Sequence, residues 1–202
     1  MNPAIIVTAS RLVMALFFSC FFVKATYHNL YTANTVYLLL AVGCVVLIEF
    51  SDAIDGVIAR KKNEVTAFGK IFDPVCDSIS RQTIFCTFMY VGIIPLWMFL
   101  IFLYRDALMS FIRIMCAING GVIAARLSGK LKAVFQAIGT FLVLLVIVLH
   151  TYTKGIVPEM LWGMHPGFWI MVFPTLFTAL SMFDYLIPNW RVIKKMTEPD
   201  SK

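Results

Sequence analysis

The chain has 202 residues, 60% of them hydrophobic and only 14% charged, with a mean hydropathy of +0.86. Soluble domains carry nearer a quarter charged residues, so this balance excludes an ordinary soluble domain and indicates an all-α, polytopic integral membrane protein. The net charge of +6 would suit nucleic acid in a soluble chain. No run of basic residues interleaved with aromatics is present, so no nucleic acid is expected as a partner; the lipid bilayer is, and the excess charge is assigned to topology and phosphate-bearing substrates.

Residues 3–24 form the first apolar segment, broken by Thr8, Ser10 and Arg11. Arg11 is either an interfacial anchor or faces a polar cavity. No charged n-region or small-residue cleavage site precedes the segment, so it is expected to be retained. Residues 25–33 make a polar and aromatic turn. The second segment starts near Asn34, stays apolar to Ile48, then runs through Glu49, Asp52 and Asp55 with no breaker but Gly56, and closes at Arg60, Lys61, Lys62 and Asn63. Glu49, one turn before Asp52, is open to two readings, support for the acidic site or merely the last buried acid. The third segment, 70–92, begins with Lys70, Asp73 and Asp77 and then turns apolar, so the two acidic pairs are expected to face each other across one short loop.

Gly92 and Pro95 mark the next turn, with Trp97 as an interfacial anchor. The fourth segment, 96–126, holds Arg105, Asp106 and Arg113 at a depth where charge is expensive. Adjacent residues point to different faces, so an Arg105–Asp106 ion pair is not expected. Arg105 and Arg113 are two turns apart and share a face expected to look into a cavity. Arg126 to Lys132 reads as a basic loop, followed by a fifth segment to 152. The sixth runs over 166–188, interrupted at Pro174, before a polar tail. Cys20, Cys44, Cys76, Cys86 and Cys116 lie in apolar segments without CxxC pairing and are expected to be packing residues, not disulfides or zinc ligands.

Six spans follow, in a single membrane domain over residues 1–202 with no repeat and no linker. One set of loops and ends carries Arg60, Lys61, Lys62, Lys70, Arg126, Lys130, Lys132, Arg191, Lys194 and Lys195, against Lys24 and Lys154 on the other. The positive-inside rule then puts the aspartate loop and both termini on the cytoplasmic side of the cell membrane, with the active site at the cytoplasmic helix ends.

Asp52 and Asp55 are three residues apart and Asp73 and Asp77 four apart, so on helices each pair shares a face. Four carboxylates around one small volume repel unless cations sit between them, and oxygen-only ligands select hard ions, Mg2+ or Mn2+. Asp52, Asp55, Asp73 and Asp77 are therefore the candidate metal ligands. A non-catalytic, ion-binding membrane protein would also use intramembrane acids, but near the midplane of several helices and not at helix ends beside a basic loop.

The complete pattern D-x2-D-G-x2-A-R-x8-G-x3-D-x3-D, from Asp52 to Asp77, resembles the signature of the CDP-alcohol phosphatidyltransferase family. The resemblance implies transfer from a CDP-linked donor to an alcohol, with release of CMP and two Mg2+ or Mn2+ ions. It implies metal ligation by the four aspartates and a catalytic, general-base role for Asp77. It also implies donor binding by Thr8, Gly56, Ala59, Arg60, Thr66 and Gly69, and a homodimer. Direct attack by the acceptor is the simplest scheme, since no Ser-His or Cys-His arrangement is visible.

Three more stretches are similar to the phosphatidylglycerophosphate synthase branch of that family: NPAIIVTASR at residues 2–11, YRDALMSFIR at 104–113 and GKLKAVFQ at 129–136. That likeness implies CDP-diacylglycerol as donor and glycerol 3-phosphate as acceptor. A phosphate dianion suits a cationic pocket of Arg105, Arg113, Lys130 and Lys132. The chain departs from the branch at Ser78, where lysine is usual, with Arg81 one turn later, and at Ala133, where threonine is usual. These departures leave open another acceptor, such as phosphatidylglycerol in a cardiolipin synthase, an inositol phosphate or another alcohol.

Overall fold

A computed structural model describes residues 3–27, 30, 33–62, 67–118, 127–153 and 160–197, with side chains at 7–27, 30, 33–51, 72–112, 114–115, 129–153 and 160–183. Six helices run through it: α1 (Pro3–Thr26), α2 (Thr35–Lys62), α3 (Ala67–Tyr90), α4 (Leu96–Ile118), α5 (Leu127–Thr153) and α6 (Pro166–Thr197). Their order matches the six expected segments. Three stretches, Val7–Thr26, Gly129–Thr153 and Pro166–Phe183, are long and apolar enough to cross a membrane, and Thr35–Ser51 is a shorter apolar run.

The turns are set by local chemistry. Asn34 caps α2: its Oδ1 accepts from the backbone N–H of Val36 at 3.1 Å and of Tyr37 at 3.4 Å, satisfying first-turn donors that have no helical partner. At the end of α3, Gly92 adopts φ 82°, and its N–H bonds Met89 O while Ile93 N–H reaches back to Phe88 O. That is a Schellman ending, which needs the left-handed residue that glycine supplies without strain. His165 caps α6, its Nδ1 accepting from Gly167 N–H at 2.9 Å, with Pro166 in the first helical position, where a missing N–H is harmless.

The helices differ from the sequence reading, α3 beginning at Ala67 and not at 70 and α6 ending at Thr197 and not at 188. Helix α6 runs through Pro174 without ending, and the Thr175 and Thr178 hydroxyls bond the carbonyls of Met171 and Pro174 within that stretch. Helix α5 begins at Leu127, so the supposed basic loop up to Lys132 is already helical. Gly129 and the lysines read as loop residues, but a glycine within a helix is tolerated, and a Cβ there would meet Arg105 Nη2 only at an ordinary contact distance of 3.9 Å.

Helix α1 packs on α2 and α3, α6 on α4 and α5, and α3 meets α4. Phe88 of α3 lies 6.1 and 5.6 Å from the rings of Phe18 and Phe22 of α1, and Phe85 lies 4.5 Å from Phe102 of α4. Such aromatic pairs are worth about 0.5–1.5 kcal/mol each. Between α5 and α6 the contact is closer: a Cβ at Gly139 would sit 3.0 Å from both Met171 Sδ and Pro174 Cγ, so only a small residue lets the two helices approach there. Cys20, Cys44, Cys76 and Cys86 are free thiols, and the side chain of Cys116 lies outside the described residues.

Candidate active site

Helix α3 organises the polar end of the molecule. Asp73 and Asp77 lie one turn apart on it, and each has one carboxylate oxygen held by a neighbour. Asp73 Oδ1 accepts a hydrogen bond from the buried Thr8 hydroxyl of α1. Asp77, its side chain 33% exposed, accepts at Oδ1 from Arg81 Nε at 3.1 Å, an i,i+4 pair. Among the described residues the second oxygen of each is open, and the donor set is all carboxylate. That chemistry fits a hard divalent cation. No group of three or more potential ligands is assembled among the described residues.

The remaining aspartates are carried by α2, whose last turns hold Asp52, Asp55, Gly56, Ala59 and Arg60. Their side chains lie outside the described residues, as do those of Gly69 and Arg113 and the whole of Thr66. The facing of the two acidic pairs lies outside them too. Glu49 supplies a link. Arg81 is buried and spans three helices, with Nη2 4.0 Å from Glu49 Oε2 on α2 and Nη1 donating to Ala133 O on α5 at 2.7 Å, besides its bond to Asp77. Glu49 is thus tied to the carboxylate helix, one turn before Asp52.

Arg11 is 2% exposed, which overturns the interfacial-anchor reading. It follows Thr8, which bonds Asp73, by three residues on α1, so it belongs to the polar end.

A second cluster adjoins the same turns. Asp106, 5% exposed, accepts from Arg105 Nη1 at 3.1 Å and from Lys132 Nζ at Oδ1, and from Ser78 Oγ at 3.1 Å and Gln82 Nε2 at 3.2 Å at Oδ2. The Arg105–Asp106 pair corrects the sequence expectation: adjacent residues leave the helix in different directions, but a guanidinium on a long stem can swing back to a short neighbouring carboxylate. The structure also separates the two lysines grouped as a pocket. Lys132 is buried on Asp106, whereas Lys130, two positions earlier and on another face of α5, is exposed.

Arg81 and Asp106 organise this end, and neither was assigned a role from sequence. The four-residue spacing of Asp77 and Arg81 was the available signal for the first. For Asp106 the signals were a charge inside an apolar segment and its place in the stretch YRDALMSFIR.

Beside these clusters a largely apolar groove of about 1510 Å3 runs between α1, α3 and α4. It extends from Ser78, Gln82 and Asp106 to Lys24, Tyr27, Tyr37 and Tyr90. Along α3 it spans Val75 to Tyr90, roughly 22 Å at the helical rise.

The sequence is similar to that of known proteins. The profile of the family described as CDP-alcohol phosphatidyltransferase matches residues 1–180. The chain is 28% identical over 193 residues to a CDP-diacylglycerol–glycerol-3-phosphate 3-phosphatidyltransferase of Treponema pallidum (strain Nichols), covering 94% of this chain and 89% of that protein. It is 31% identical over 144 residues to the protein of the same name from Bacillus subtilis (strain 168), covering 71% and 70%. To that of Rickettsia prowazekii (strain Madrid E) it is 32% identical over 139 residues, covering 68% and 74%.

Proposed function

The chain belongs to the CDP-alcohol phosphatidyltransferase family, and from that premise we propose that it transfers the phosphatidyl group of CDP-diacylglycerol to sn-glycerol 3-phosphate, giving phosphatidylglycerophosphate and CMP. The relatives named for this reaction support the donor and acceptor. The geometric observation that carries the reading to this chain is the meeting of Arg105 and Lys132, from two helices, at Asp106 beside the turn that holds Asp77. A cationic cluster next to a catalytic carboxylate suits an acceptor that brings its own phosphate.

In the proposed reaction Asp77 takes the proton of the acceptor hydroxyl as its oxygen attacks the phosphorus of the donor. The bond from phosphorus to the CMP oxygen breaks, and CMP leaves with the electron pair. Asp73 and Asp77, with Asp52 and Asp55 from α2, would hold Mg2+ or Mn2+, two ions in the reading given above, which when bound supply Lewis-acid neutralisation of phosphate oxygens. Thr8 keeps Asp73 in place and Arg81 keeps Asp77 in place. Gly56, Ala59, Arg60, Thr66 and Gly69 would receive the nucleotide, and the apolar groove has the chemistry to take acyl chains of a membrane-dissolved donor. We place the protein in the cell membrane with six spans, with both termini and the carboxylate end cytoplasmic by the distribution of lysine and arginine, and as a homodimer by family resemblance.

The test is an acceptor panel on purified protein with CDP-diacylglycerol and Mg2+, following CMP release, with a chelator control. Release with glycerol 3-phosphate alone, abolished by chelation, is the expected result. Release with a different alcohol would overturn the acceptor and keep the transferase.

A further inference from the structure

Asp106 is saturated as an acceptor. A carboxylate has about four lone-pair sites, and here four donors occupy them: Arg105 and Lys132 at Oδ1, Ser78 and Gln82 at Oδ2. In this arrangement it has no capacity left for a metal or for a substrate proton. The cations it holds are the opposite case. Lys132 gives Asp106 one of the three N–H groups of an ammonium. Arg105, 9% exposed, gives it Nη1, while its Nε–H is buried without an acceptor among the described residues. Two cations against one anion leave the trio with a net positive charge, enclosed by helices, and with donors to spare. That is the signature of a clamp awaiting an anion.

The position of the clamp is fixed from α3. Ser78 and Gln82 each follow a residue of the catalytic turn, Asp77 and Arg81, and both end on Asp106 Oδ2. Both also line the groove, as Asp106 does, whereas Arg105 and Lys132 do not. Asp106 therefore forms a partition, with the apolar groove at one oxygen and the cations at the other. We propose that Asp106 is a positioning residue of the acceptor site: it holds Arg105 and Lys132 together as a clamp for a phosphate monoester and sets that clamp at a fixed offset from Asp77 through Ser78 and Gln82. Taking the monoester to be that of glycerol 3-phosphate rests on the function proposed above.

Removing the Asp106 charge has two opposed effects. It raises the local positive potential, and it strands a buried ammonium beside a guanidinium with nothing to hold them together. The second dominates, because long cationic side chains without a counter-ion swing apart and leave the enclosed site.

The test uses the whole protein in detergent and reads binding apart from turnover. Glycerol 3-phosphate and inorganic phosphate are titrated without donor, and KM for each substrate is measured with it, for wild type, Asp106→Asn, Lys132→Gln and the double variant. The expected result for Asp106→Asn is a rise of about tenfold or more in phosphate Kd and in KM for glycerol 3-phosphate, with KM for CDP-diacylglycerol within about twofold. The double variant is expected to fall well short of the product of the single effects, because both act on one clamp. Asp106→Glu should recover part of the affinity.

Equal changes in both KM values, unchanged phosphate binding in Asp106→Asn, or no phosphate binding by wild type would each overturn the proposal. Should Asp106→Asn not fold, Ser78→Ala and Gln82→Ala each remove one neutral donor and are expected to raise KM for glycerol 3-phosphate by about two- to fivefold. No change in either would count against the clamp. Wild type whose phosphate binding depends on Asp106 but which releases no CMP with glycerol 3-phosphate would instead sink the function proposed above and leave the clamp standing.

Discussion

The two ends of the bundle are built by different means. At the end that carries Asp77, side chains reach between helices: Thr8 to Asp73, Arg81 to Glu49 and Ala133, Lys132 to Asp106. At the other end, much of the order comes from neighbours in sequence: Asn34 on the N–H groups of Val36 and Tyr37, Gly92 in a Schellman ending, His165 on Gly167, and Trp169 Nε1 donating to Leu161 O across a tight turn. Local caps need only the right residue at one position. Cross-helix ion pairs need the whole packing to be correct first, and they concentrate charge where chemistry on phosphates requires it.

The comparison is broken most severely at Asp77. Asp77→Asn is expected to lower CMP release by about 10²–10⁴-fold while the protein still elutes as folded, since a proton acceptor is lost and the shape is kept. Wild-type turnover in that variant would remove Asp77 from the base role.

Arg81→Met should weaken both stability and activity. It strips charge-assisted bonds from Asp77 and Ala133, at about 1.5–3 kcal/mol for each bond to a charged group, discounted because Asp77 is part exposed. Thermal unfolding in detergent checks it, and Arg81→Lys, which cannot reproduce three directed contacts, should recover little.

At the other end, Asn34→Ala is expected to lower stability by about 1 kcal/mol and leave KM for both substrates unchanged.

A further effect is one of pH. His165 lies outside the three long apolar stretches, and burial, with the His150 charge second, pushes it down to about 4. Its Nδ1 must be unprotonated to accept from Gly167. A depressed pKa means that the unfolded chain binds the proton first. The stability contribution is therefore whole above the ordinary histidine value near 6.5 and is lost as pH falls through about 4. His165→Asn, which caps without titrating in that range, should flatten this part of the stability profile, as read by unfolding at a series of pH values.

What was legible in sequence follows the same division. Asn34, Gly92 and Pro95 announced their turns because capping and left-handed backbone are properties of one or two residues. The Asp73 and Asp77 face was legible because four-residue spacing has one meaning on a helix. The partners of Asp106 were not, since they come from α3 and α5 and no spacing within α4 encodes them. Pro174 misled in the other direction: taken alone it reads as a break, but a continuous apolar stretch carries the helix past it. Arg105 beside Asp106 failed for a geometric reason, because Cβ directions say little about where a guanidinium ends.

The packing also has a consequence for synthesis. Helix α1 holds α2 and α3, α6 holds α4 and α5, and Arg81, Ser78 and Gln82 reach across the seam. A nascent chain that has produced only α4 offers Asp106 just its own neighbour Arg105 and the two donors of α3; the ammonium arrives with α5. Helix α5 in turn leans on α6, with Gly139 against Pro174. The carboxylate helix is thus among the first parts made, yet its surroundings close only once α5 is in place, so a chain stalled before α5 holds its aspartates but not a finished cationic cluster.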